Sequence, residues 1–242
     1  MPARSQRSLI AIALLLSSLF CSLSRVHAEP PPVIDIITLG DSITKGVRGG
    51  VTVEDTFAAG LERTLKERGF SVRVTNIGIG GERTDQALAR LEKDVLSRKP
   101  QIVTIMYGTN DSYVDKGRTD SRITAEAYRK NLEALVQKMQ AGGIRPVLMT
   151  EPRWGEKATF NGAGEHPNVR LERYLTECRT VAMTLKVPLV DHYAHWTKVE
   201  AAGQNLGDWT TDQCHPNPAG HRVLLETMLP VIEQQVRELR KE

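Results

Sequence analysis

The sequence predicts an α/β protein, a three-layer α/β/α sandwich around a five-stranded parallel sheet. Two observations lead there. Five short apolar, β-branched runs, at residues 33–39, 71–76, 101–107, 145–150 and 187–191, alternate with longer segments of helical spacing. Alternation of this kind calls for a parallel sheet covered on both faces, since right-handed crossovers lay each helix back against the strands.

The helical segments justify themselves in order. Residues 56–68 space Phe57, Leu61 and Leu65 along one face, and residues 84–96 do the same with Leu88, Leu91 and Val95. Residues 124–141 carry Leu132, Leu135, Val136 and Met139. Residues 168–186 carry Leu171, Tyr174, Leu175, Cys178, Ala182 and Leu185. The last helix, 218–239, has a clear start: Asn217 is a good N-cap, and Pro218 suits the first helical position. Ligands of such sheets sit beyond the carboxyl ends of the strands. Chemistry is therefore expected just after residues 39, 76, 107, 150 and 191.

The N-terminus reads as a secretory signal, residues 1–28. It holds Arg4, Arg7 and Arg25 and no acid, and it closes on Val26-His27-Ala28. Its apolar run from position 9 to 21 is 13 residues, short of the ~20 that span a bilayer. Cys21 follows Phe20, bulkier than the small residue lipoprotein processing favours. Cleavage near Ala28 leaves one domain, 29–242, long enough for a sizeable core and exported to a periplasmic or extracellular setting.

Removing the signal changes the charge. The chain has 32 Lys and Arg against 29 Asp and Glu, and the three arginines of the signal account for the excess. The remainder is formally neutral, with basic residues scattered among acids, so no stripe points to nucleic acid. Cys178 and Cys214 also remain. Export makes a disulfide chemically possible, whereas the apolar stripe around Cys178 suggests a buried thiol facing the sheet. No CxxC, HExxH or clustered His and Cys supports a metal.

Three strand ends and one turn carry candidate chemistry. Gly40-Asp41-Ser42 follows the first run; alone, Asp-Ser there reads as a turn or an N-cap. Asn76-Ile77-Gly78-Ile79-Gly80-Gly81-Glu82 follows the second, where glycines admit close backbone approach. A dinucleotide fingerprint fails here, because Arg83 stands where its third glycine belongs. Gly108-Thr109-Asn110-Asp111 follows the third. Asn110 also opens the sequon Asn110-Asp111-Ser112, but a glycan against a buried strand is implausible. Asp212-Gln213-Cys214-His215-Pro216 forms a stiff turn before the last helix. Asp191 with His195 is a competing acid–base pair, without the proline-fixed turn.

In combination, Gly40-Asp41-Ser42, Gly81, Gly108-Thr109-Asn110-Asp111 and Asp212-x-x-His215 resemble the four sequence blocks of the SGNH, or GDSL-type, hydrolases. The resemblance runs from Asp35 to the last helix. Ile43 stands where the nominal pattern has Leu, which touches packing and not chemistry. The resemblance implies a flavodoxin-like SGNH hydrolase fold and a serine esterase that needs no cofactor. It makes Ser42 the nucleophile, His215 the general base and Asp212 its orienting acid. The oxyanion hole is then the N–H of Ser42 and of Gly81 with the side-chain amide of Asn110. Asp41 and Asp111 brace the loops. The G-x-S-x-G elbow of ordinary α/β-hydrolases is absent.

Substrate is less legible. Trp154, Trp196 and Trp209 read as loop residues at the active edge, amid polar, glycine-rich stretches. Trp154 and Trp209 are candidates for stacking on a sugar, or for anchoring the loops. The favoured substrate is a short acyl ester, such as an acetylated carbohydrate or similar small molecule. The alternative is lysophospholipase- or thioesterase-type hydrolysis of longer acyl chains. A non-catalytic carbohydrate-binding protein on the same fold would lack a triad or oxyanion residue, and none is missing. Oligomeric state has no signature in the sequence.

Overall fold

In the computed structural model, which describes residues 32–241, five parallel strands form one sheet in the order β2-β1-β3-β4-β5. They are β1 (Ile34–Gly40), β2 (Val72–Asn76), β3 (Ile102–Met106), β4 (Arg145–Met149) and β5 (Leu189–Val190). The segment read as a signal lies outside the described residues. Ile36 sits in register with Val74 on one side and Ile102 on the other, so apolar rows cross the sheet.

Because side chains alternate along a strand, each face draws on every second residue. Ile34, Ile36, Ile102, Met106, Val147 and Met149 pack under α2 (Phe57–Glu67) and α8 (Pro218–Leu239). Ile37, Leu39, Val103, Ile105 and Leu148 pack under α3 (Thr84–Asp94), α5 (Ala125–Ala141) and α6 (Pro167–Thr184). Each such side chain, fully buried, contributes about 1.5–3 kcal/mol over its exposed state. Two cores of this kind sandwich the sheet, as the alternation in the sequence requires.

Two local expectations are corrected. The fifth strand pairs over two residues only. Pro188 has no N–H to donate, and Asp191 turns its carboxylate to cap the next helix by accepting from the Ala194 N–H. That helix is α7 (His192–Ala201), where a loop was expected. Trp196 therefore lies in a helix, fully buried, with its ring edge-on to Trp209 at 5.3 Å and 73°. It is a core residue and does not face the active edge. Cys178 and Cys214 are both free and buried; Cys178 faces the sheet from α6, as its stripe predicts. Among the described residues, no helix is long and apolar enough to cross a membrane.

Candidate active site

Ser42 opens α1 (Ser42–Lys45) directly beyond β1. Asp41 caps this turn, its carboxylate accepting the Ile43 N–H at 2.8 Å. The loop after β2 then closes against α1. A Cβ on Gly78 would lie 2.3 Å from the Lys45 nitrogen, so only glycine permits that approach. The Asn76 amide donates to the Thr44 carbonyl at 2.7 Å, and the Ile79 N–H donates to the Gly40 carbonyl at 3.0 Å. These contacts bring Gly80 beside Ser42, where a Cβ on the glycine would lie 4.0 Å from that of the serine. Gly81 adopts φ of 78°, in the left-handed region. Among the described residues, no acceptor engages the backbone N–H of Ser42 or of Gly81.

A buried ion pair braces the far end of that loop. Arg90 grips Glu82 through two hydrogen bonds of 2.6 Å and reaches the Ile77 carbonyl at 2.9 Å, while the Tyr107 hydroxyl donates to Glu82 at 2.6 Å. Burial and the Glu82 charge push the Tyr107 phenol well above its ordinary value, so it stays a donor.

Asn110 lies in α4 (Thr109–Ser112), the turn after β3. Its Nδ2 donates to Asp41 at 2.8 Å and its Oδ1 accepts from Arg122 at 3.0 Å. The two partners fix which way the amide points, and Nδ2 keeps a second hydrogen for a ligand. Asp111 accepts from the N–H and hydroxyl of Thr84, at 2.9 and 2.6 Å, joining this turn to the start of α3. Asp41 and Asp111 are thus both loop braces. Burial raises Asp41 to about 7, aided by the Asp111 charge, and burial raises Asp111 to about 6.

The fourth block arrives from the loop before α8. Asn217 accepts from the N–H groups of Ala219 and Gly220 and donates to the Asp208 carbonyl, so the helix start is pinned. Asp212 Oδ1 accepts the His215 N–H at 2.8 Å, which bends the turn back on itself. His215 Nδ1 then meets Asp212 Oδ2 at 2.8 Å, and its Nε2 meets Ser42 Oγ at 2.9 Å. Ser42, His215 and Asp212 form a continuous hydrogen-bonded line. An imidazole so placed can accept the hydroxyl proton while the carboxylate stabilises the resulting cation.

The competing pair does not assemble. Asp191 is held by two hydrogen bonds from Arg179, at 2.7 and 3.0 Å, and by the Thr150 hydroxyl at 3.0 Å. Three further histidines serve the fold. His166 caps α6. His192 and His221 are buried and held neutral by burial, lowered to about 3 and about 4.

Sequence reasoning missed Arg48, whose guanidinium donates to Asp212 Oδ2 at 2.9 Å. Their separation of 164 positions leaves no local signal. Both side chains are partly exposed, and exposed pairs of this kind are worth ~0.2–1 kcal/mol. Arg48→Ala should therefore lower kcat by no more than about fivefold, with the gap shrinking as salt is added. A loss of several hundredfold in a salt titration would give Arg48 a larger part. Arg122, which orients Asn110 from 12 positions further along the chain, was missed as well. Among the described residues, no group of three or more His, Cys, Asp or Glu could hold a metal ion.

Trp154 stacks on Tyr113 at 6.3 Å and 20°, and both indoles, Trp154 and Trp209, are half-buried. Gly155 donates its N–H to the Gln213 carbonyl at 2.7 Å, which sets the Trp154 loop against the turn that carries His215.

Known proteins resemble this chain in sequence and fold. A model of the GDSL-like lipase/acylhydrolase family matches residues 38–223. A Bacillus subtilis (strain 168) protein described as the uncharacterized lipoprotein YqeF is 30% identical over 221 residues, covering 79% of this chain and 86% of its own. The esterase TesA of Pseudomonas aeruginosa is 26% identical over 201 residues, covering 82% and 87%. Among solved structures, the acetyl xylan esterase AlAXEase superposes with a TM-score of 0.70 at 27% identity, over 82% of this chain and 100% of that one. With the family model spanning most of the chain and the fold shared with a solved esterase, the protein belongs to the GDSL-like lipase/acylhydrolase family and is an esterase of the SGNH type.

Proposed function

We propose that this esterase is exported and removes a short acyl group, such as acetyl, from a carbohydrate or similar small ester. Ser42 attacks the ester carbonyl, His215 takes its proton and returns it to the leaving alcohol, and Asp212 steadies the imidazolium. The N–H groups of Ser42 and Gly81 and the Asn110 amide receive the oxyanion. The observation that carries this reading is the line from Ser42 Oγ through His215 to Asp212, at 2.9 and 2.8 Å. In this reading residues 1–28 are the cleaved signal and 29–242 the hydrolase domain. The likeness to a lipoprotein supports export.

Substrate class rests on the Trp154 and Trp209 loops, polar around two half-buried indoles, and on the likeness to an acetyl xylan esterase. A second reading, longer acyl chains, draws on Val47 and Ile79, apolar side chains 43% and 45% exposed in the loops after α1 and β2. A panel of nitrophenyl esters of rising chain length, run beside acetylated sugars, separates the two. Acetyl and butyryl esters should turn over faster than decanoyl. Trp154→Ala and Trp209→Ala should cost more on acetylated sugars than on nitrophenyl acetate. Preference for long chains would move the assignment to a lysophospholipase or thioesterase type.

A further inference from the structure

Just after β4, Glu151 is fully buried, and neither of its carboxyl oxygens has a hydrogen-bond partner among the described residues. A charge there would cost several kcal/mol without a partner. Its close neighbour is Asp41, also fully buried. The titratable groups that face the pair are Asp111 on α4, Tyr128 on α5, Cys178 on α6 and Cys214 beside the triad histidine. None of these is a cation. Two carboxylates here would repel, and a single proton between them turns repulsion into a hydrogen bond.

The donors say which carboxyl holds that proton. Asp41 accepts from the Ile43 N–H and from Asn110 Nδ2, both at 2.8 Å, which stabilise its charge. Glu151 has the Thr109 N–H nearby, but burial and the Asp41 and Asp111 charges outweigh it and raise its carboxyl well above the usual range. The proton belongs on Glu151. Its hydroxyl then donates to Asp41, and Asp41 in turn holds the Asn110 amide.

We propose that Glu151 is a positioning residue for the oxyanion hole: as a neutral carboxylic acid it donates to Asp41 and thereby aims the Asn110 amide at the developing oxyanion. The chain of groups runs Glu151, Asp41, Asn110, with Arg122 holding the amide from its other side. Glu151 touches no reacting atom and acts through two intermediaries. Above neutral pH the pair keeps one proton and one charge, the combination that both donates to Asp41 and leaves Asp41 an acceptor. Raising the pH through the Glu151 value strips the last proton, restores the repulsion and slackens Asn110, so kcat should fall on the alkaline side.

This inference rests on the proposed role of Asn110, and the test separates the two. In E151Q the amide NH2 replaces the acid O–H as donor and cannot ionise. It should rescue kcat to within about threefold of the wild type, with the alkaline fall removed. E151L keeps the bulk and removes the donor. It should lose kcat on the order of 10²-fold with KM little changed, as loss of an oxyanion donor does. The double variant E151L/N110A should lose no more than N110A alone, because both act through one amide. If E151L does not fold, infrared spectra of the wild type and E151Q at pH 8 still decide. The wild type should show the carbonyl band of a protonated carboxyl, shifted in D2O, and E151Q should lack it. Absence of that band, multiplying losses in the double variant, or an E151Q as damaged as N110A would each overturn the assignment. N110A with wild-type kcat would overturn it together with the oxyanion hole, whereas the infrared band reports on Glu151 alone.

Discussion

His215→Ala is expected to lose kcat by on the order of 10⁴–10⁶, nearly as much as Ser42→Ala. The two act as a unit: without Nε2 at 2.9 Å from Oγ, the hydroxyl keeps its proton and attacks poorly. Asp212→Asn should also be severe, about 10⁴-fold or somewhat less, because the imidazole persists in a poorer orientation and tautomer. His195→Ala supplies the control and should keep most of the activity, since Asp191 is already committed to Arg179 and Thr150. Measured on nitrophenyl acetate, an inactive His195→Ala beside an active His215→Ala would remove the triad. A serine-directed phosphonate should label the wild type at Ser42, and Ser42→Ala should remain unlabelled.

Asn110→Ala is expected to reduce kcat by on the order of 10²–10³ with KM little changed. The amide meets the oxygen mainly after it has become an anion, so its loss is felt in the transition state. Asn110→Asp should be at least as damaging. It would face the Asp41 carboxylate across the 2.8 Å now bridged by Nδ2–H, and present negative charge to the oxyanion. A change confined to KM in either variant would show that Asn110 holds ground-state substrate instead.

The strand–helix alternation was plain in the sequence because strands buried on both faces must be continuously apolar, and covering helices must show a 3.6-residue stripe. The start of α8 was as plain, because Asn217 and Pro218 each have a local reason to stand there. Helix α7 was hidden. Its buried residues are His192, Tyr193 and Trp196, so a polar ring and aromatics fill positions where periodicity looks for Leu or Ile. Within the site, residues inside a tight turn were legible, as Asp212 and His215 show. Partners that meet only in three dimensions were not. Arg48, Arg122 and Glu151 each read as an ordinary charge in a polar stretch, and their roles appear once distant loops are brought to one sheet edge.

The contact between Gly155 and Gln213 couples two parts of the molecule that design would prefer to treat separately. Gln213 accepts the Gly155 N–H through its carbonyl and the Lys157 N–H through its side chain at 3.3 Å, and a Cβ on Gly155 would fall 2.3 Å from that side chain. The stretch after β4 that bears Trp154 is therefore a buttress for the turn holding the base. Grafting a foreign loop between residues 151 and 167 would move His215 as well as the pocket wall. Selections for new substrates on this scaffold should accordingly return paired changes, one in that stretch and a compensating one at Gln213.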